Sequence, residues 1–181
     1  MTTCSRCSTP SPDTRAVYDY RFEPARLADA ARLAAMSRQL VESGLRPAWG
    51  CERIQTHIRH PESMVLVAVR GGMITGFAIM RYADDTAHLN LLAVDPLHRR
   101  RGVGQRLVRW LEESALTAGT FTIGLELRAA NQGARAFYAA LGYRELVQIP
   151  GYYQGVEAAI RMQRDVRDPH TAAPGTRQSA P

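Results

Sequence analysis

The stretch NLLAVDPLHRRRGVGQRLVRWLEE, Asn90 to Glu113, decides the reading of the fold. Leu91 to Val94 is a continuous apolar run, as expected of a central strand covered on both faces. Asp95-Pro96 stops it, because proline removes a ladder donor. Val103, Leu107, Val108 and Leu111 then recur at helical spacing. Between strand and helix lies a basic turn, Arg99 to Gly104, with two glycines spaced by one residue. Such a turn exposes backbone N–H groups at the positive end of a helix dipole, which suits a phosphate. Gly102 and Gly104 would let the backbone approach a ligand closely, and the arginines add bidentate donors. No Gly-Lys-Ser/Thr follows the glycines, so this is not a nucleotide P-loop. It also lacks the third glycine of a dinucleotide fingerprint.

Outward from this segment the chain alternates strand and helix signals. On the N-terminal side, Val17 to Phe22 reads as a strand, Pro24 suits a first helical turn, and a helix runs to about Ser43, ended by Gly44. Cys51 to Arg59 reads as a second helix and Met64 to Val69 as a strand. Arg70-Gly71-Gly72-Met73 is a hairpin turn into the strand Ile74 to Tyr82. On the C-terminal side, Phe121, Ile123, Leu125 and Leu127 alternate with polar or small residues, which predicts a strand with two distinct faces. Asn131 to Leu141 reads as a helix closed by Gly142. Tyr143 to Ile149 and Val156 to Met162 read as the last strands, with Gly151 in the loop between them. The order is β-α-α-β-β-β-α-β-α-β-β, an α/β sheet with helices on both faces. One domain over residues 16–166 is expected, between polar tails at 1–15 and 167–181 whose composition predicts disorder.

Composition narrows the function. Hydrophobic residues make up 45% and charged residues 22%, as in an ordinary globular protein, and no apolar run reaches membrane-spanning length. No secretory signal is visible, so a cytoplasmic protein is expected. The formal charge is +6 and all 23 basic residues are arginine, so the protein has no lysine side chain of its own to modify. The arginines are scattered, apart from Arg99 to Arg101, and no aromatics interleave with them; an anionic small ligand fits better than nucleic acid or a membrane surface. Cys4 and Cys7 form a CxxC pair, but a metal site would need two further ligands nearby, so unpaired thiols and no metal are expected.

The loop Arg99-Arg100-Arg101-Gly102-Val103-Gly104 resembles the Gln/Arg-x-x-Gly-x-Gly/Ala signature of the GNAT acetyltransferases, and the element order matches theirs from about residue 15 to 166. The resemblance implies the GNAT acyltransferase fold, a mixed central sheet with helices on both faces, and a loop that wraps the pyrophosphate of acetyl-CoA. It places that co-substrate against Leu92, Ala93 and Val94, against Arg99, Arg100, Arg101, Gly102, Val103, Gly104 and Gln105, and against Asn131. In that family the strand parts from its neighbour and frees backbone N–H groups, here those of Leu92 and Val94, for the pantetheine arm and thioester.

Acetyl transfer to an amine needs a proton acceptor, donors for the oxyanion and a proton for the thiolate. The segment LELRAANQGARAFYAALGY, Leu125 to Tyr143, resembles LEVRxxNxxAxxLYxxLGF of the ribosomal-protein-alanine N-acetyltransferases. By that resemblance Glu126 is the proton acceptor and Tyr138 the proton donor. Alternation alone makes Glu126 a solvent-facing strand residue, and helical spacing makes Tyr138 a packing partner of Phe137 and Leu141. His88, on the strand before the basic loop, is the second candidate base, read as sharing a face with Asn90 and Leu92. The segment Pro150 to Met162 resembles the Tyr-Tyr loop and last strand of N-terminal acetyltransferases, so Tyr152 and Tyr153 would line a peptide groove. Glu157-Ala158-Ala159 stands where that family often has Glu-Asp-Ala. The expectation is an acetyl-CoA-dependent N-acetyltransferase working by direct attack in a ternary complex, with a protein N-terminal α-amine as acceptor. A small-molecule amine acceptor is the alternative, and a non-catalytic acetyl-CoA-binding module is a third.

Overall fold

The computed structural model describes residues 20–168, so the two tails, apart from Arg167 and Asp168, and the Cys4/Cys7 pair lie outside the described residues. Its strands are β1 (Arg21–Pro24), β2 (Ser63–Arg70), β3 (Met73–Tyr82), β4 (Thr86–Val94), β5 (Thr122–Arg128), β6 (Arg144–Tyr153) and β7 (Glu157–Asp165). Its helices are α1 (Ala30–Leu40), α2 (Cys51–Arg59), α3 (Val103–Thr117) and α4 (Gln132–Ala140), with short 3-10 turns at Leu27–Asp29 and Pro96–His98. The strands form one sheet in the order β1-β2-β3-β4-β5-β7-β6. All pairings are antiparallel except β4 with β5.

The sheet separates two apolar layers, and alternating residues of one strand feed both. Leu66 and Ala68 of β2 join Leu107, Leu111, Ile123, Leu125 and Met162 on the side covered by α3 and α4. Val65, Val67 and Val69 join Leu33, Met36, Ile54, Phe77 and Ile79 on the side covered by α1 and α2. This is the near-continuous apolar patterning expected of strands covered on both faces. A buried ion pair ties α3 to β7: Arg164 Nη1 donates to both carboxylate oxygens of Glu112 at 3.0 and 2.9 Å.

Two local expectations need correction. Pro24 does not start a helix; it ends β1, an edge strand, where a missing N–H leaves no gap in the ladder. Residues 17–19 of the expected first strand lie outside the described residues. Gly151 is not in a connecting loop: at φ +64° it sits in a register shift within β6, which runs on through Tyr152 to Tyr153. β6 is the other edge strand, so it also accommodates Pro150. The turn into β7 comes later, at Gln154 and Gly155, both with positive φ.

The decisive irregularity lies in β4. Its register against β3 shifts by one residue, Ile79 pairing with Leu91 and Met80 with Leu89, so Asn90 is the extra residue of a β-bulge. Burial along β4 alternates without a break, yet Ala87 and Leu89 pack on the α3 side while Leu91 and Ala93 pack on the α1–α2 side. His88 and Leu92 therefore lie on opposite faces, not on one as the plain alternation suggests. The parallel ladder between β4 and β5 holds only from Thr86–Thr122 to His88–Gly124, and beyond that the strands part.

Gly76 on β3 lets α3 start tight against this parting strand. A Cβ there would stand 3.0 Å from the Ala93 carbonyl oxygen and 3.3 Å from Val103 Cγ1. Gly76→Ala should therefore destabilise the fold by roughly 1–3 kcal/mol, the usual range for overpacking. Urea unfolding would register it as a lower midpoint at an unchanged slope.

Candidate active site

Where β4 leaves β5, its outer backbone edge is open. Asp95 N–H donates to Thr75 O on β3 at 2.8 Å, so by two-residue alternation Leu92 and Val94 turn their N–H groups the other way. The Val94 carbonyl on the same edge accepts from Arg99 Nε at 3.1 Å, which also folds the basic loop back on the strand. In that loop Arg100 (φ +59°) and Gly102 (φ +76°) are both left-handed. Two such residues within three positions curl the N–H groups entering α3 inward.

Two clefts flank the fork. The larger, about 560 Å³, is lined by Leu92, Ala93, Val94, Arg99, Arg100, Gly102, Val103, Gly104, Gln105 and Asn131, together with His98, Gly133 and Phe137. Of the positions read from the sequence as contacting the co-substrate, only Arg101 is outside this lining, and its side chain is exposed. The second cleft, about 390 Å³, brings together Asn90, Glu126, Arg128, Tyr138, Tyr152 and Tyr153. The two share Leu40, Leu92, Asn131 and Ala134, so each opens toward the other at the fork. Asn131 has a structural task as well: its side chain accepts from Ala134 N–H at 3.0 Å and caps α4.

The charged centre of the second cleft is Glu126, whose side chain is only 8% exposed. Arg161 Nε–H donates to Oε1 at 2.7 Å, and His88 Nε2 stands 2.6 Å from Oε2. His88 Nδ1 is in turn 2.6 Å from Asn90 Oδ1. The bond to His88, then that to Arg161, hold the Glu126 carboxyl down at about 2 against the opposing effect of burial. The Glu126 bond raises His88 above its ordinary 6.5, and burial works against it. Tyr138 is buried, and desolvation, with Tyr153 adding to it, pushes its phenol well up, so it carries its proton throughout the neutral range. Burial, then Tyr152 and Glu126, push Tyr153 up to about 12; burial and then Glu126 raise Tyr152.

One wall of this cleft is the α1–α2 connection, pinned by contacts that join distant segments. Buried Glu42 accepts from Ser37 Oγ at 3.0 Å and from the N–H groups of Ala48 and Trp49. Arg128 donates to the Ser43 carbonyl at 2.8 Å and to Glu157 at 2.7 Å, and Gln154 donates to the Arg46 carbonyl at 3.1 Å. Sequence reading missed Asn90, Arg161, Glu42 and Leu40. Arg161 becomes visible only through the β5–β7 register, in which it pairs with Glu126.

Residues 31–143 match the sequence model of the Acetyltransferase (GNAT) family. The chain belongs to that family. A [Ribosomal protein bS18]-alanine N-acetyltransferase of Salmonella typhimurium is 41% identical over 92 residues, 49% of this chain and 62% of that protein. The chain thus spans somewhat less than two thirds of that relative. An N-alpha-acetyltransferase of Mycobacterium tuberculosis is 29% identical over 147 residues, 78% of this chain and 90% of its own. The crystal structure of the ribosomal-protein-S18-alanine N-acetyltransferase from Escherichia coli superposes with a TM-score of 0.72 at 26% identity, over 81% of this chain and 94% of that one. The GNAT fold expected from the basic loop is the fold observed.

The pinning of Glu126 carries a pH signature. A carboxyl lowered on folding stabilises the protein above its ordinary value of 4.5, and the contribution is lost as pH falls toward about 2. Glu126→Gln should therefore lower the melting temperature at pH 7. The gap between variant and parent should narrow steadily between pH 4.5 and 2 in thermal melts.

Proposed function

We propose that this chain transfers the acetyl group of acetyl-CoA to protein N-terminal α-amines. The observation that carries the reading is the meeting of the two clefts at Leu92, Asn131 and Ala134, with the polar groups needed for chemistry gathered on one side. The left-handed loop and the start of the 15-residue helix α3 offer N–H donors and a positive dipole end to the pyrophosphate, with Arg99 and Arg100 alongside. Acetyl-CoA, when bound, supplies the thioester carbonyl and a thiolate leaving group. The open edge of β4 directs the Leu92 and Val94 N–H groups at the pantetheine arm and at the oxygen that gains charge. Tyr138 donates to the departing sulfur, and its protonated state at neutral pH fits that task. Glu126 takes the proton of the attacking amine. Cys51, the one free cysteine among the described residues, lines neither cleft, which favours direct attack over an acyl-enzyme.

The α-amine acceptor follows from proton availability. Its reference pKa is about 7.7–8.0, against about 10.4 for lysine, so far more of it is neutral near pH 7.5. Tyr152 and Tyr153, stacked edge-to-face at 5.0 Å and set at the end of β6, offer rings and hydroxyls to the first peptide residues. This reading places the enzyme in the cytoplasm, where acetyl-CoA and new protein N-termini occur together.

Short peptides with a small free N-terminal residue should be acetylated at the α-amine, and internal lysines far more slowly, as located by mass spectrometry. Tyr152→Ala or Tyr153→Ala should raise the peptide KM more than the acetyl-CoA KM. Tyr138→Phe should lower kcat by about 10²–10⁴-fold with acetyl-CoA affinity nearly intact. Modification confined to lysines, or activity on small amines alone, would replace this acceptor by the alternative.

The co-substrate loop separates its two glycines. At Gly102 a side chain has open space but the φ of +76° strains any L residue, whereas Gly104 has no such φ and a Cβ there would meet Phe137 and Val94 at 3.5 Å. Left-handed strain of about 1–2 kcal/mol should make Gly102→Val lose roughly tenfold in acetyl-CoA affinity by titration calorimetry. Gly104→Ala should lose less.

A further inference from the structure

We propose that the proton released by the attacking amine is held by His88, to which Glu126 hands it, and leaves to solvent from that ring. The inference rests on the acetyl-transfer reading above and assigns the fate of the proton within it. In the tautomer in which His88 Nδ1 donates to Asn90 Oδ1, 2.6 Å away, that nitrogen carries the ring's proton. The ring then turns the Nε2 lone pair toward Glu126 Oε2 at 2.6 Å. Two acceptors at that separation need one proton between them, so the proton-free pair is a receptor for one proton and its loaded form is an imidazolium–carboxylate ion pair. Glu126 lines the acceptor cleft; His88 does not line it, and its side chain is 43% exposed. The pair therefore spans the wall from the amine side to solvent.

The step balances as follows. The neutral amine attacks the thioester carbonyl with its nitrogen lone pair and then loses an N–H proton, while the C–S bond breaks and the sulfur leaves with the Tyr138 proton. The proton passes to Glu126 Oε2, and that O–H bond then breaks as an N–H bond forms at His88 Nε2, 2.6 Å away. Water later takes that proton and Tyr138 recovers one from water, so the pair and the phenol are both restored. The charged and titratable groups around His88 come from three strands: Glu126 of β5, Arg161 of β7, and Arg81 in register opposite it on β3. Arg161 fixes the carboxylate so that Oε2 keeps facing the ring, and Asn90 fixes the tautomer; both are positioning residues. A carboxyl held at about 2 keeps a proton too weakly to store it, while the same bond raises His88 toward the working range.

The test uses the full chain at saturating acetyl-CoA and peptide. Wild-type kcat should fall on an acidic limb with a midpoint above 6.5. His88→Gln, which can still donate to Glu126, should lose about 10²-fold or more in kcat, lose that limb, and keep its acetyl-CoA affinity. In His88→Ala, added imidazole should restore part of kcat. By NMR, the His88 ring of the unliganded protein should titrate above 6.5 and drop in Glu126→Gln. A His88→Gln enzyme that keeps wild-type kcat, or loses kcat with the limb intact, overturns the proposal, as does a His88 midpoint unmoved by Glu126→Gln. Failure of the acceptor reading shows separately, as wild-type acetylation of some other amine; the same profiles taken with that amine still decide His88, and the NMR titration needs no acceptor.

Discussion

The site depends on one constraint: β4 and β5 must stop pairing after three rungs and yet stay in the same sheet. Parting two strands in a sheet interior strands backbone donors and acceptors, which is tolerated only where other partners replace them. Here the replacement is divided. The ladders with β3 and β7 occupy the far edges of β4 and β5, Arg99 covers the Val94 carbonyl on the open edge, and the Leu92 and Val94 N–H groups turn to that same edge. The bulge at Asn90 supplies the bend. His88 stands at the last shared rung and spans the fork to Glu126, so the side-chain pair takes over where the backbone ladder ends.

That placement explains the electrostatics. Glu126 would be an ordinary strand carboxylate if β4 ran alongside β5 to its end. Because the strands part, it lies at the floor of a cleft with His88 on one side and Arg161 on the other. Arg161 and, once it is protonated, His88 fix the orientation of one nearly buried carboxylate and strip it of basicity together. A carboxylate so held is well positioned and poorly suited to keep a proton, and the neighbouring imidazole acquires the basicity that it loses. Position and proton affinity therefore belong to different residues of one pair.

Much of the architecture was legible because it follows local rules. The Gly71-Gly72 hairpin, the helix Cys51–Arg59 and the strand–loop–helix around Arg99–Gly104 each carry their own turn chemistry and periodicity, and each stands where the residues put it. Glu126, Tyr138, Tyr152 and Tyr153 converge on one cleft. The misses are non-local. A bulge that keeps burial alternating while reversing faces leaves no trace in the hydrophobic pattern, which is why His88 and Leu92 looked coplanar. Arg161 and Glu126 meet only through an antiparallel register set 35 residues apart. Gly151 reads as a loop residue, and only the edge position of β6 lets the strand pass through it and carry the two tyrosines to the cleft.

The second cleft is the less rigid half of the site on physical grounds. The basic loop is fixed by backbone geometry that only a few residue types adopt, and α3 behind it is packed through Val103, Leu107 and Leu111 into the main core. The α1–α2 wall hangs instead on side-chain clamps: Glu42 from within, and Arg128 and Gln154 from across the cleft. Such clamps are individually modest, about 0.5–1.5 kcal/mol each for neutral bonds and more where a charge takes part. They can be exchanged one at a time without disturbing the sheet. Arg128 makes the link explicit, since one guanidinium holds the wall at Ser43 and β7 at Glu157. Variation in these clamps would reshape the second cleft while the fork, the loop and the His88–Glu126 pair stayed in place, so the shape of that cleft and the geometry of the fork are carried by separable parts of the molecule.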